Sequence, residues 1–551
     1  MNPLGQDRAI AWPFARGRVV AIGAAAAILA VMIVPLLDYV PLWDGRVYAN
    51  CVFEAAFSGV TLESLRCANH PSQGWAAVLV VPQLFAPGSM AVMNATNLVL
   101  GIVAAAAFRI VLARVFPARE HSGALDLVAI AAAVQPVVVS TMLQPNVDFG
   151  VYVFFYVTLA ALLSSGASAA GIALIGGVLL CFSKETGVAA YGLAVGATLL
   201  AEHLRAGRTL RARIGMVARR GAVLSLPLVL FLAYVLAYGA THADPAIWKH
   251  GWQESTADGF VFFNFSDPIF LSYAAGLGVL SFMWVAWLPV ACDAATGVTR
   301  TVRRRAARAV PGADGALLGP FIALTLVLTY LLTSFRTWTN VRYFAVLYPL
   351  FLALSYASLV RLGIGLRARQ AAFAAIIALF LLGDYRSADP LSRAMYGTFD
   401  AGVRRMYAMT SFTGESGGPG RDQLVYNIEF VDYHRVQNAL FDRIRPTDST
   451  VIGAPRTVRW NIWSQLDAAT LHRTMERRGV FSPVYADEVD IAARRSPGAW
   501  LLDFSNHAYD DHALGTLLPV YSVADSVIVT SGSQRLVARR LVRREVPSVL
   551  P

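Results

Sequence analysis

Apolar residues in this chain come in long unbroken runs, not in the alternating or 3.6-residue stripes of a fold that buries one face in water. The runs lie near 19–37, 90–113, 123–142, 148–165, 169–183, 186–202, 221–240, 268–291, 316–334, 342–360 and 370–383. Most have the roughly 18–25 residues that cross a ~30 Å hydrocarbon core as a helix. They predict a polytopic membrane protein of about eleven transmembrane helices. Composition agrees, at 56% hydrophobic and 15% charged over 551 residues, with a mean hydropathy of +0.53. Arg8, Arg16 and Arg18 precede the first run and no small-residue cleavage site follows it. The first run therefore reads as a retained signal anchor.

One shorter piece, 74–86, contains Pro82 and Gln83 and ends at Ala86-Pro87-Gly88. Charge decides how to read it. If it crossed the bilayer, Arg114 and Arg119 would fall outside and every later loop would invert. If it lies along the surface, the clusters Arg205–Arg220, Arg300–Arg308 and Arg361–Arg369 all fall inside, as the positive-inside rule favours. The piece is thus predicted to be a juxtamembrane helix closing an outer loop at 38–89. The same bias accounts for the net charge of +11 without a nucleic-acid partner.

From Asp384 onward hydropathy falls. STVIGA, AWLLDF and DSVIVTS read as short buried strands. VDYHRVQNALFDRIR and EVDIAARR read as helices between them. The expectation is a membrane domain over 1–384 and a soluble α/β domain over 385–551, on the outer side.

With this topology the chemistry collects outside. The outer loops hold Asp38, Asp44, His70, Asp148, Lys184, Glu185, His242, Asp244, His250, Arg336 and Arg342. Lys184 and Lys249 are the chain's two lysines among many arginines. Cys51 and Cys67 share the first outer loop and can form a disulfide if that loop faces an oxidising space. Cys181 and Cys292, at span ends, read as packing residues, and no cysteine spacing fits a metal site.

The stretch PLWDGRVYANCVFEAAFSG, followed by NHPSQGW, resembles the first outer loop of the GT-C superfamily of membrane glycosyltransferases. The likeness is to the branch of protein O-mannosyltransferases and lipid A aminoarabinose transferases. That loop reads D-E-x-x-Y, a helix, H-P-P and an apolar juxtamembrane helix; here Asp44, Tyr48, His70 and Pro71 stand in that order. The chain departs from it at Gly45, usually Glu, and at Ser72, usually Pro. QPNVDFGVYVFF (with Asp148), FSKETG (with Lys184) and VRYFAVLYPLF (with Arg342) resemble later family segments. The resemblance implies an inverting transferase that moves a sugar from an undecaprenyl- or decaprenyl-phosphate carrier to a hydroxyl acceptor. It implies action on the outer face of a bacterial inner membrane, on a glycan, lipid or protein acceptor, with a divalent metal in some relatives.

Such a transfer needs a carboxylate to take the acceptor proton and cations where charge builds on the departing phosphate. Asp44 is the candidate base. Lys184, Arg336 and Arg342 are candidates for the phosphate, with Tyr48, His70 and Asp148 as further donor contacts. Each residue also has a plainer reading. Asp44 can cap a helix beginning at Gly45, and Asp148 can cap its own span. Asp38, at the membrane edge, competes for the role of base. Lys184 can pair with Glu185, and Arg336 and Arg342 can anchor to headgroups. His70, His242 and His250 are candidate metal ligands, or simply solvated.

Two other classes stand beside the transferase. A flippase or transporter normally carries repeats and midplane charges, which these spans lack. A lipid-linked-glycan ligase or polymerase shares the outer-face logic but carries a large late loop in place of a C-terminal domain. If Asp44 is the base, Asp44→Asn lowers sugar transfer by about 10²–10⁴-fold in folded protein, measured with lipid-linked sugar as donor.

Overall fold

The computed structural model describes residues 16–37, 43–67, 71–143, 145–205, 209–241, 278, 282–302, 310–333 and 341–386. Beyond these it describes 391, 394, 398–401, 404–407, 439–440, 443–444, 450–454, 483–485, 498–504, 521–531 and 534–544. The membrane part is helical: α1 Arg16–Ile33, α2 Trp43–Ser58, α3 Gln73–Gln83, α4 Met90–Val115 and α5 Ser122–Ala133. There follow α6 Pro136–Met142, α7 Val147–Leu162, α8 Ala167–Cys181, α9 Glu185–Arg205 and α10 Leu210–Leu224. The series ends with α11 Leu226–Thr241, α12 Met283–Val302, α13 Gly315–Thr333, α14 Tyr348–Arg361 and α15 Leu366–Arg386.

Among the described residues, α4, α9 and α13 are each long and apolar enough to cross a bilayer. Two bent pairs, Arg119–Ala133 with α6 and α10 with the following helix, pass the same test together. The 52° bend of the first pair falls just before Pro136, which has no N–H to continue the ladder. The Gln135 side chain takes up the freed Val138 N–H at 3.0 Å. Every expected run coincides with helix where it is described, although most of 268–291 lies outside the described residues.

Polarity is arranged for an apolar solvent. Val99, Ile175, Leu236 and Leu326 are exposed on helix faces, whereas Asn94, Asn97, Gln135 and Thr158 are buried. Helices in lipid gain little from hiding leucine and much from satisfying polar groups against one another.

The expected juxtamembrane helix is α3. Its eleven residues span about 16 Å, half of a bilayer core. Three successive residues dock it. Gln73 Nε2 donates to Tyr234 Oη on α11 at 2.6 Å. Gly74 N donates to Phe182 O just past α8 at 2.9 Å. Trp75 Nε1 donates to Pro145 O just before α7 at 3.3 Å. Trp75 is fully buried and meets Phe149 and Phe154 edge-on. Gly74 lies so close to α8 that a Cβ there would sit 2.2 Å from Leu179 O.

A disulfide joins Cys51 on α2 to Cys67, sixteen residues on. Closing a loop of that size removes about 3 kcal/mol of unfolded-chain entropy. Cys181 is buried as expected, but Cys292 is exposed, so its packing role is not borne out.

Beyond the membrane part, β1 (Thr398–Ala401) and β2 (Arg404–Tyr407) form an antiparallel pair. A mixed five-stranded sheet has the order β4-β3-β5-β7-β6. Its strands are β3 Thr450–Ala454, β4 Pro483–Tyr485, β5 Gly498–Phe504, β6 Tyr521–Ser531 and β7 Gln534–Arg543. β3 pairs in parallel with β4 and β5, and β7 is antiparallel to β5 and β6. The three expected strands are β3, β5 and β6. Parallel pairing requires crossovers, and the helices expected to supply them lie almost wholly outside the described residues. Gly74→Ala is expected to lower stability by about 1–3 kcal/mol, read as thermal unfolding in detergent.

Candidate active site

Three residues far apart in sequence meet inside the helical bundle. Asn146 caps α7, its Oδ1 accepting from Asp148 N at 3.1 Å and Phe149 N at 3.3 Å. The Asp148 carboxylate is thereby freed from the capping role that sequence allowed it. It points at two cations instead. Lys184 Nζ donates to Asp148 Oδ1 at 2.6 Å, and Arg342 Nε lies 3.1 Å from Asp148 Oδ2.

Lys184 stands in the tight turn between α8 and α9. Ser183 Oγ bonds back to Leu179 O at 2.6 Å there, and Gly187 N closes on Lys184 O at 2.8 Å. Its ion-pair partner is therefore Asp148, across the bundle, and not the adjacent Glu185. Arg342 lies in a single 3-10 turn, Val341–Phe344. Tyr156 Oη donates to Val346 O at 2.6 Å and fastens this segment to α7. Arg342 is 6% exposed, Asp148 6% and Lys184 5%, so the headgroup-anchor reading of Arg342 does not hold.

Tyr343 completes the cluster. Lys184 Nζ lies 3.8 Å from its ring centroid and the Arg342 guanidinium 5.5 Å away, contacts that favour a cation over a ring face. Burying an ion costs several kcal/mol unless a partner compensates. Here the Asp148 carboxylate lies against both cations. Asp148, Thr186 and Tyr343 give onto a cleft whose other walls are apolar: Val151, Ala190, Leu328, Leu332 and Val346. The spacing is helical, with Asp148 and Val151 on one face of α7. Thr186 and Ala190 share a face of α9, and Leu328 and Leu332 one of α13.

The helix that carries Asp44 begins at Trp43, not Gly45. Asp44 thus lies within the first turn, not ahead of it, and its side chain is outside the described residues. Tyr48, one turn on, is buried. Asp38, His70, His242, His250 and Arg336 lie outside the described residues. Among the described residues no group of three or more His, Cys, Asp or Glu side chains is near enough to share a metal ion. Sequence reasoning singled out Asp148, Lys184 and Arg342 separately but assigned no role to Asn146, Trp75 or Tyr343. For Tyr343 the signal was its place beside Arg342 in VRYFAVLYPLF.

Solved structures share this arrangement of helices in outline. ArnT from Cupriavidus metallidurans bound to undecaprenyl phosphate superposes with a TM-score of 0.52 at 16% identity. The match covers 95% of this chain and 98% of that one. The chain has the ArnT fold. The apo ArnT structure from the same organism gives a TM-score of 0.53 at 15% identity, covering 96% and 98%. No family model and no curated protein matches the sequence itself. The architecture expected from the loop motifs is thus borne out as a likeness of fold to the ArnT structures, over nearly the whole chain.

Asp148→Asn leaves Lys184 and Arg342 facing each other across a neutral amide. Breaking a buried pair in this way costs about 3–5 kcal/mol, and the same loss is expected in thermal unfolding of detergent-solubilised protein. Adding Lys184→Met is expected to restore part of that loss, because one of the two stranded charges is removed.

Proposed function

We propose that this protein is an inverting glycosyltransferase of the GT-C kind. It moves a sugar from a polyprenyl-phosphate carrier to a hydroxyl acceptor. The carrying observation is the buried Lys184–Asp148–Arg342 cluster, whose Asp148 also borders a small cleft with mostly apolar walls. A prenyl-phosphate needs this pairing of environments: cations at the head and hydrocarbon along the tail. The likeness of fold to an ArnT structure bound to undecaprenyl phosphate supports the same class of ligand.

In this reading Lys184 and Arg342 hold the phosphate. Lys184 and Arg342 both carry N–H donors of the kind that phosphate oxygens accept from. Arg suits bidentate contact with phosphate oxygens. Asp148 keeps both cations aimed. Asp44 takes the acceptor proton as the new bond forms, and the phosphate leaves with its charge spread toward the two cations. Tyr48, His70 and Arg336 act as further donor contacts. The topology that goes with this mechanism has eleven spans over 1–384, in a bacterial inner membrane. The site and the 385–551 domain both face the outer side, where the domain binds the acceptor or braces the loops.

The test is binding of undecaprenyl phosphate to purified full-length protein. Lys184→Ala and Arg342→Ala should each weaken it by about 10–100-fold, the equivalent of a charged hydrogen bond of about 1.5–3 kcal/mol. Wild-type affinity in both variants would overturn the assignment of the phosphate site.

A further inference from the structure

The family resemblance leaves Ser72 unexplained, and the structure gives it a use. Ser72 occupies the position before α3, where a serine ordinarily turns its hydroxyl onto the first helical N–H groups. It makes no such cap. Its fully buried Oγ instead accepts from Cys67 N at 2.5 Å and faces the Leu65 and Cys67 carbonyls, both at 3.2 Å. A proline at 72 has no hydroxyl to do this.

Cys67, held in this way, is bonded to Cys51. Cys51 lies on the same stripe of α2 as Asp44 and Tyr48, at the i, i+4, i+7 spacing of one helix face. Directly after Ser72 come the three docking residues. Gly74 bonds to Phe182, two residues before Lys184, and Trp75 bonds to Pro145, three residues before Asp148. A continuous series of bonds therefore runs from the α2 face to the Ser72 hydroxyl and on to two of the three segments that carry the buried cluster.

We propose that the Cys51–Cys67 disulfide, seated by Ser72, is a positioning element that fixes the Asp44-bearing end of α2 relative to the Lys184–Asp148–Arg342 cluster. Transfer therefore requires the oxidised pair, while binding of the carrier phosphate does not. The role given to Asp44 rests on the functional reading above; the positioning of α2 does not.

The test uses full-length protein in nanodiscs, with and without dithiothreitol. The reagent supplies two electrons and two protons, leaving two thiols and becoming a cyclic disulfide itself. A displacement of about 1 Å at a reacting group can cost about a hundredfold. Reduction is accordingly expected to lower transfer from lipid-linked sugars of the source membranes by about that factor. The Kd for undecaprenyl phosphate should stay within about twofold, under half a kcal/mol. Amide exchange should quicken over 43–58 and not over 147–162.

The Cys51→Ser/Cys67→Ser double variant should match the reduced protein and ignore dithiothreitol, and Ser72→Ala should fall between it and wild type. Full transfer after reduction overturns the proposal, as does a parallel loss of carrier binding. If wild-type protein binds no undecaprenyl phosphate, the functional reading fails. The exchange experiment alone then decides, and unchanged protection over 43–58 sinks the positioning role.

Discussion

The buried carboxylate of Asp148 is the interaction on which the rest of the helical part depends. In an interior without water, an ion persists only where another ion and hydrogen bonds replace its hydration. Asp148 meets that need with Lys184 at 2.6 Å and Arg342 at 3.1 Å. Those two cations come from the α8–α9 turn and from the 3-10 turn before α14. The pairing thereby specifies how three distant segments face one another, which apolar contacts alone do weakly in lipid. Supporting bonds follow from it: Asn146 takes over the helix cap, Tyr156 holds the 341–346 segment, and Tyr343 covers the Lys184 ammonium.

The second constraint is that backbone groups cannot be left bare in an apolar setting. α3 is too short to span a bilayer and is fixed by its first three residues. Gly74 meets this by bringing its N–H to Phe182 O at a distance no side chain would permit. Trp75 adds bulk and a single polar contact at Pro145. α3 is thus set against the segments carrying Lys184 and Asp148 by backbone geometry and one indole.

Much of this was legible before any coordinates. Uninterrupted apolar runs fixed where helices form, because hydrocarbon length is a coarse requirement that any leucine, valine or alanine satisfies. The bias of arginine separated α3 from the spans. The strands β3, β5 and β6 showed as short β-branched runs between polar turns. Asp148, Lys184 and Arg342 each stood out as a charge beside apolar sequence. Their meeting was not legible, since hydropathy records which residues avoid lipid but not which side chains share a cavity. Local ambiguity hid the rest. Asn146 and Asp148 are both good caps two residues apart, and only the structure shows which one caps. The start of α2 was misjudged by two residues because Trp43 carries no start signal, whereas Asp44 does.

The charge balance of the cluster bears on what it can do repeatedly. Lysine and arginine without a counter-ion would hold a phosphate tightly, yet would be costly to bury empty and slow to release a spent carrier. The Asp148 carboxylate supplies a charge of opposite sign beside both. It holds the two cations in place. In the proposed transfer the departing phosphate gains negative charge as the sugar leaves, so preorganised cations favour the late part of the reaction over the substrate alone. An interior carboxylate beside the cations is then part of the same arrangement as the cations, and explains why a group that repels phosphate sits within 3.1 Å of the residues proposed to bind it.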